Sequence, residues 1–231
     1  MYGLLTEVGG ADFFNQAMTY TDGIWETEEA RTAFDIVGKL ATYMEPTTIG
    51  NANGENFKKN QQLILDNKAL FMPNGNWIIG EMADAPRAEG FEWGFTALPA
   101  IKEGGDRYSF TFFEQMWIPK EAENPDLAKQ FMAYMYSDEA AKIFASHGAV
   151  QPIEGVSEYI TDETSKLIYS IYDTGAKAAM GGFAATEAVE GVNMKETLCF
   201  TIDSIVTGDK TVDDWQKAVE EVSDQLRPAL K

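Results

Sequence analysis

The stretch Ala69-Leu70-Phe71-Met72-Pro73-Asn74-Gly75-Asn76-Trp77 is the part of the sequence that indicates most about the fold. Its first four residues form a short apolar run, which predicts a buried strand. Residues 73–76 have the composition of a turn, because proline, asparagine and glycine favour turn conformations. Residues 77–85 then predict a short helix. A strand that passes through a turn into a helix is typical of mixed α/β folds.

Extended segments follow this unit along the chain. Phe91, Trp93 and Phe95 alternate with polar or small residues, which predicts a strand that ends at Pro99. Residues 108–118 predict a second, aromatic-rich extended stretch.

Helices account for most of the remaining sequence. Residues 1–26 are aromatic-rich and lack a clear period, so we predict irregular structure there. Thr27 has the features of an N-cap, and helical spacing continues from it until Pro46. Further predicted helices are one ending at Leu65, one starting at Pro125, one from Ser137 to His147, and three at about 162–173, 193–206 and 212–227.

The composition indicates a globular protein with an acidic surface. Hydrophobic residues make up 45% of the 231 residues, which is enough for a sizeable core. There are 37 acidic and 18 basic residues, so the net charge is −19. Such a chain repels phosphate backbones, and we expect no nucleic-acid partner. The sequence also lacks an apolar run of the ~20 residues that a membrane helix needs.

The sequence contains one cysteine, Cys199, and one histidine, His147. Cys199 lies beside Leu198 in a predicted helix, which favours a small buried apolar residue over a nucleophile. His147 precedes Gly148 at a predicted helix end, which favours a capping role. One histidine and one cysteine give no basis for a transition-metal site, and we expect neither a metal nor a cofactor.

Five segments in order resemble the family 1 extracellular solute-binding proteins, the maltose-binding-protein-like group. The first is the strand, turn and helix that include Gly75 and Trp77. The other four are Phe91 to Pro99, Ile118 to Phe131, Ser137 to Pro152, and Thr207 to Asp214. Each motif alone is weak, but together they follow the family's order over residues 69–230.

The resemblance implies an α/β, periplasmic-binding-protein-like fold of the class II type, with short strands and many helices. Residues 1–110 and 153–231 would form the second lobe, and residues 111–152 would belong to the first lobe. Family members are about twice as long as this chain and carry an export signal. Met1-Tyr2-Gly3 has no such signal. We therefore expect that this sequence starts within a longer protein and lacks the rest of the first lobe.

The resemblance also implies a ligand-binding role for the turn at Trp77. An indole face suits the C–H faces of sugar rings, and the resemblance favours this role for Trp77. Without the resemblance, a buried core position would be the favoured interpretation of Trp77. Asn74 and Asn76 flank Gly75 and could bond sugar hydroxyls, but turn propensity alone also explains them.

Further candidates lie where the family's lobes reach the cleft. Phe112, Phe113, Glu114 and Gln115 fall at the expected crossing between lobes, and a carboxylate there can accept two hydroxyl protons. Either phenylalanine could instead be plain strand core. Phe183, Asn193 and Glu196 are the candidates in the second lobe, where the absence of Trp or Tyr near residue 195 weakens the case for a maltodextrin.

The function implied is the substrate-binding component of a bacterial ABC importer. Its partners would be a carbohydrate and the permease subunits, and it would be periplasmic or anchored, as a lipoprotein, to the outer face of the membrane. No catalytic residue is predicted, so we expect no enzyme. The alternatives are a receptor for an amino acid, peptide or polyamine, a glycoside-acting enzyme, and an interaction domain.

The predicted first-lobe segment also suggests self-association. Its helices carry apolar stripes that include Leu127, Phe131 and Phe144. Without a full first lobe these stripes would lack partners, so we expect weak sugar binding by this chain alone and a non-native dimer.

Overall fold

The computed structural model describes residues 1–52, 56–111 and 114–230. It shows many helices with a small sheet. The α-helices are α1 (Tyr2–Met18), α2 (Glu28–Ala41), α3 (Phe57–Leu65), α4 (Ile78–Glu81), α5 (Pro125–Met135), α6 (Asp138–Ser146), α7 (Glu163–Asp173), α8 (Thr201–Thr207) and α9 (Val212–Leu226). A π-helical turn, Glu196–Phe200, precedes α8. The strands are β1 (Arg107–Thr111) and β2 (Ala176–Met180), which pair with each other.

The chain forms two compact units. The first unit comprises Met1–Glu92, Ala97–Thr111 and Lys177–Lys231, and the second comprises Trp93–Thr96 and Phe112–Ala176. These units are defined by compactness alone, so the division into lobes at residues 110 and 152 stays a prediction.

The core of the first unit lies between α1, α2 and α9. Trp215 of α9 is fully buried and meets the ring of Phe34 edge-on, with ring centroids 4.5 Å apart and planes at 89°. Its indole N–H donates to the carbonyl of Thr197 at 3.0 Å, so the buried nitrogen is satisfied. The amphipathic spacing of α9, which buries Trp215, Val219 and Leu226, is the reason that this helix packs here.

Local capping explains where several helices begin. The Thr27 side chain accepts a hydrogen bond from the Ala30 N–H, and Thr211 and Asp214 form a capping box at the start of α9. Ser137 caps α6 in the same way. The predicted helices that start at these residues are confirmed, as is the one that starts at Pro125.

The prediction of irregular structure over residues 1–26 is wrong. Residues 2–18 form α1, which buries Leu5, Phe13 and Phe14 in the core. Gly10 has φ 72° and ψ −170° and breaks the helix into two short parts. The break interrupts the apolar period, and this is why the pattern did not indicate a helix.

The predictions of strands at 69–72 and 91–99 are also wrong. Neither segment is a strand in the structure, and Leu70 and Phe71 are 84% and 76% exposed. A strand needs a hydrogen-bonded neighbour, and among the described residues the sheet contains β1 and β2. Phe91, Trp93 and Phe95 are half-buried while the residues between them are exposed, so the alternation persists without a ladder.

Two properties of the described residues bear on function. None of their helices combines the length and apolarity required for crossing a membrane. Their Asp, Glu, His and Cys side chains form no group of three or more that could hold a metal ion.

Glu7 of α1 is a carboxyl group buried between this helix and the start of β1. It is 6% exposed, and its Oε1 accepts a hydrogen bond from the Tyr108 N–H at 2.5 Å. Its Oε2 is buried without a partner. Burial raises the pKa of Glu7 above its ordinary value, although the Tyr108 N–H and the Arg107 charge act in the opposite direction.

We expect Gly10→Ala to lower the free energy of unfolding by about 1–3 kcal/mol, because the mirror-image extended backbone is essentially restricted to glycine. Space is not the obstacle, since a Cβ at Gly10 would lie 3.4 Å from the Tyr108 hydroxyl. Urea denaturation measures the change. Gly80→Ala is the control, because a Cβ at Gly80 would meet no atom within 4 Å. Equal effects of the two substitutions would contradict this account of Gly10.

We expect Glu7→Gln to gain stability relative to the wild type as the pH rises. A raised pKa in the folded state means that folded Glu7 holds its proton more strongly than unfolded Glu7. The contribution of the proton to stability is therefore complete below the ordinary pKa of a glutamate and is lost as the pH rises from that value through the raised pKa. Thermal unfolding between about pH 4 and 8 tests this, with the exposed Glu89→Gln as a baseline. Parallel pH profiles for the wild type and Glu7→Gln would show that the burial of Glu7 does not affect its ionisation.

Candidate functional site

The turn before α4 holds the indole of Trp77 at the surface. Trp77 is the N-cap residue of α4 and is 47% exposed, whereas the next residue, Ile78, is buried. A Cβ built on Gly75 would lie 2.1–2.4 Å from three atoms of the six-membered ring of Trp77. The ring is therefore folded against the glycine backbone, and no larger residue fits at position 75 without moving it.

The asparagines of this turn have different environments. Asn74 is exposed, and its Oδ1 accepts a hydrogen bond from the Gly75 N–H at 2.7 Å. Its side-chain oxygen thus stabilises the turn itself, as is common for asparagine. Asn76 is exposed beside Trp77. Of the two, Asn76 is the better placed to offer its amide to a ligand.

Phe183 belongs to a cluster of four aromatic rings in the first unit. Its ring meets those of Tyr2 and Phe14 edge-on, with centroids 5.3 and 5.4 Å away, and lies 6.4 Å from Phe110. Phe14 is fully buried, while Phe183 is 44% exposed. The cluster therefore has a base formed by α1 and β1, in which Phe14 is buried and Tyr2 and Phe110 are half-buried, and the ring of Phe183 is its exposed member.

Asn193 and Glu196 lie together where the π-helical turn begins. The Asn193 Oδ1 accepts a hydrogen bond from the Glu196 N–H at 3.0 Å, and its Nδ2 donates to the Glu187 Oε1 at 2.8 Å. Asn193 is half-buried, whereas Glu187 and Glu196 are exposed. The arrangement presents two carboxylates to solvent beside one fixed amide.

The remaining predicted residues are in the second unit or lie outside the described part of the chain. Glu114 and Gln115 are exposed in the second unit. Phe112 and Phe113 lie outside the described residues. Asn193 and Glu196 are thus brought into contact, whereas the turn at Trp77 and the ring of Phe183 belong to other segments of the first unit.

Surface depressions do not coincide with the predicted residues. A depression of ≈ 480 Å³ lies on α5, and its lining includes Leu127 and Phe131. Another, of ≈ 540 Å³, lies between α3 and α4 and is lined by residues that include Lys58 and Glu81. Neither is lined by a predicted site residue.

Sequence reasoning missed the base of the aromatic cluster. Tyr2, Phe14 and Phe110 lie far apart in sequence, so no local motif joins them. The aromatic richness of residues 1–26 is a signal that points to such a cluster, but without a clear apolar period it predicts irregular structure. A helical assignment of that region would have placed Phe14 in the core.

The single cysteine and the single histidine have the environments that the sequence predicted. Cys199 is half-buried against the core, and burial raises the pKa of its thiol and of the Tyr2 hydroxyl that bonds to it. A thiol with a raised pKa is a poor nucleophile. His147 is the C-cap of α6, and its Nδ1 lies 2.9 Å from the Ile143 carbonyl oxygen.

Comparison with known protein families gives one match. The family model described as bacterial extracellular solute-binding protein matches residues 4–166. A search of curated proteins found no match to this chain. The matched range covers most of the chain, and the mixed helical fold with short strands agrees with the α/β fold of this family. This chain belongs to the bacterial extracellular solute-binding protein family.

Proposed function

We propose that this protein is the substrate-binding component of a bacterial ABC importer and that its ligand is a sugar or oligosaccharide. The observation that carries the proposal is the indole of Trp77, which is half exposed and held against Gly75 in a member of a solute-binding family. A large aromatic face at the surface has an energetic cost in water, and a ligand with a flat C–H face removes that cost.

The polar side chains among the predicted site residues suit hydroxyl recognition. Asn76 offers an amide next to Trp77, and Glu196 offers a carboxylate that can accept hydroxyl protons. Phe183 supplies a second exposed ring. In this proposal the protein binds the sugar and releases it chemically unchanged, without a cofactor.

The proposed binding mode is closure of two lobes around the ligand. Residues 1–110 and 153–231 would form one wall, and Glu114 and Gln115, near the start of the segment 111–152, would approach from the other. The ligand-bound form would then dock on permease subunits at the outer face of the membrane. We propose a periplasmic location or a lipid anchor for the full protein.

A second candidate ligand is a cationic solute such as a polyamine. The observation that favours it is the pair of exposed carboxylates, Glu187 and Glu196, on either side of Asn193. An ammonium group pairs well with such carboxylates and with the exposed ring of Phe183.

Isothermal titration calorimetry with maltose, xylobiose, cellobiose, putrescine and spermidine separates these candidates. For the full protein, with both lobes, we expect binding of at least one sugar and of none of the amines. Binding of the amines alone would replace the sugar proposal by the cationic one. Release of reducing sugar that is abolished in Glu114→Gln would instead indicate a glycoside-acting enzyme.

We expect Trp77→Ala to weaken sugar binding by about 1–3 kcal/mol, by analogy with the stacking of a base on an aromatic side chain. The melting temperature should change little, because the indole is half exposed. Calorimetry with the tightest-binding sugar of the panel measures the loss.

Two further variants control this result. Gly75→Ala keeps the indole but forces it from its position, so it should also weaken binding. Phe71→Ala removes an exposed ring from the preceding segment and should leave affinity unchanged. Equal affinities for the wild type and Trp77→Ala would remove this residue from the site.

The apolar surface of α5 supports a proposal of self-association. Leu127 and Phe131 are 65% and 58% exposed and lie one turn apart on this helix. We expect a concentration-dependent dimer that Phe131→Glu weakens, and expect it to tighten with added salt because the net charge of −19 opposes association. Light scattering measures this, with Lys129→Glu as a control on the same helix. A monomer at all concentrations and salt levels would contradict the proposal.

A further inference from the structure

We infer that Asn15 is a positioning residue that fixes the orientation of Phe183 through the backbone of Gly182. This inference rests on the proposed function, in which the exposed ring of Phe183 faces the ligand. In this inference Asn15 of α1 acts through the backbone of the neighbouring segment and not through a contact with the ligand.

Asn15 makes a hydrogen bond to the segment that carries Phe183. Its Oδ1 accepts from the Gly182 N–H at 2.7 Å, although the two residues are distant in sequence. Gly182 is exposed and immediately precedes Phe183, so without this bond its N–H would bond to water. The side chain of Asn15 thus joins the α1 helix to the segment that carries the ring.

The backbone at Gly181 approaches the side chains of α1 closely. A Cβ on this residue would lie 2.0 and 2.1 Å from two ring atoms of Phe14 and 3.2 Å from the Asn15 Oδ1. The backbone at 181 therefore lies directly on the Phe14 ring, and only glycine allows this approach. Asn15 and Phe14, neighbours on α1, hold the segment from two directions.

Two further hydrogen bonds hold the chain directly after Phe183. The Ala184 N–H donates to the Met18 carbonyl at 3.0 Å, and the Tyr20 hydroxyl donates to the Ala185 carbonyl at 3.1 Å. The ring is thus bracketed by contacts with one stretch of chain, residues 15–20. Of these contacts, the Asn15 bond immediately precedes the ring.

The consequence is an exposed aromatic ring that is already ordered before a ligand binds. Phe183 contacts Tyr2 and Phe14 edge-on while 44% of it remains exposed. A ligand that covers an ordered ring does not have to immobilise it, and this lowers the entropic cost of association. Asn15 would therefore influence affinity through the order of the ring rather than through any contact of its own.

Amide hydrogen exchange of the ligand-free protein tests the bond directly. We expect the Gly182 amide of the wild type to be protected and to exchange about fivefold faster in Asn15→Leu, because one net hydrogen bond of about 1 kcal/mol is lost. Asn15→Asp retains an oxygen acceptor and should restore protection. Gln16→Leu is the control for added apolar surface on the same helix.

A fluorine label on the ring separates positioning from a general loss of structure. With 4-fluorophenylalanine at position 183, we expect one sharp resonance in the wild type, a shifted or broadened resonance in Asn15→Leu, and recovery in Asn15→Asp. If Asn15→Leu does not fold, the wild-type protein alone decides, since an unprotected Gly182 amide overturns the inference. An unchanged resonance and unchanged Gly182 exchange in folded Asn15→Leu also overturn it.

These outcomes are independent of the proposed function, because no ligand is present. A failed sugar titration would remove the role of Phe183 in binding but would leave the Asn15 bond intact. Normal sugar binding with an unprotected Gly182 amide would do the reverse.

Discussion

The edge-to-face contact between Phe34 and Trp215 is the interaction on which the first unit depends. It joins α2 to α9, elements from opposite ends of the sequence, and both rings are fully buried. The indole N–H of Trp215 also bonds the Thr197 carbonyl and so holds the π-helical turn in place. Loss of either ring would lower the free energy of unfolding by roughly 3–5 kcal/mol. It would also displace the segment that carries Asn193 and Glu196.

The large aromatic residues of the first unit divide into two groups with different physical roles. Trp25 and Trp215 are fully buried, and their burial stabilises the fold. Trp77 and Phe183 are about half exposed, yet each is held against backbone or other rings. An exposed ring with restricted motion contributes little to stability. It suits a binding surface, because the ring is already in position when a ligand arrives.

Sequence predicted the elements that local chemistry determines and failed where distant contacts decide. The helices that begin at Ser137 and Thr211 were predicted because their caps lie within a few residues. The prediction of a strand at 69–72 is wrong, because an apolar run forms a strand only with a hydrogen-bonded partner elsewhere in the chain. In the candidate site, a local motif indicated Trp77, whereas the base of the aromatic cluster and the Asn15 bond join residues that no spacing rule connects.

The acidic surface restricts the choice of ligand less than the magnitude of the net charge suggests. A net charge of −19 disfavours anions at long range, but exposed charges are screened beyond about 8–10 Å at physiological ionic strength. Selection between a neutral sugar and a cation therefore depends on groups that touch the ligand. Around Asn193 these groups are carboxylates, which accept hydrogen bonds from hydroxyl and ammonium groups alike. In the turn before Trp77, the exposed polar side chains of Asn74 and Asn76 are neutral amides, and a sugar satisfies such groups better than an isolated ammonium does. Under the proposed function, the turn at Trp77 is for that reason the predicted site segment that best suits a carbohydrate.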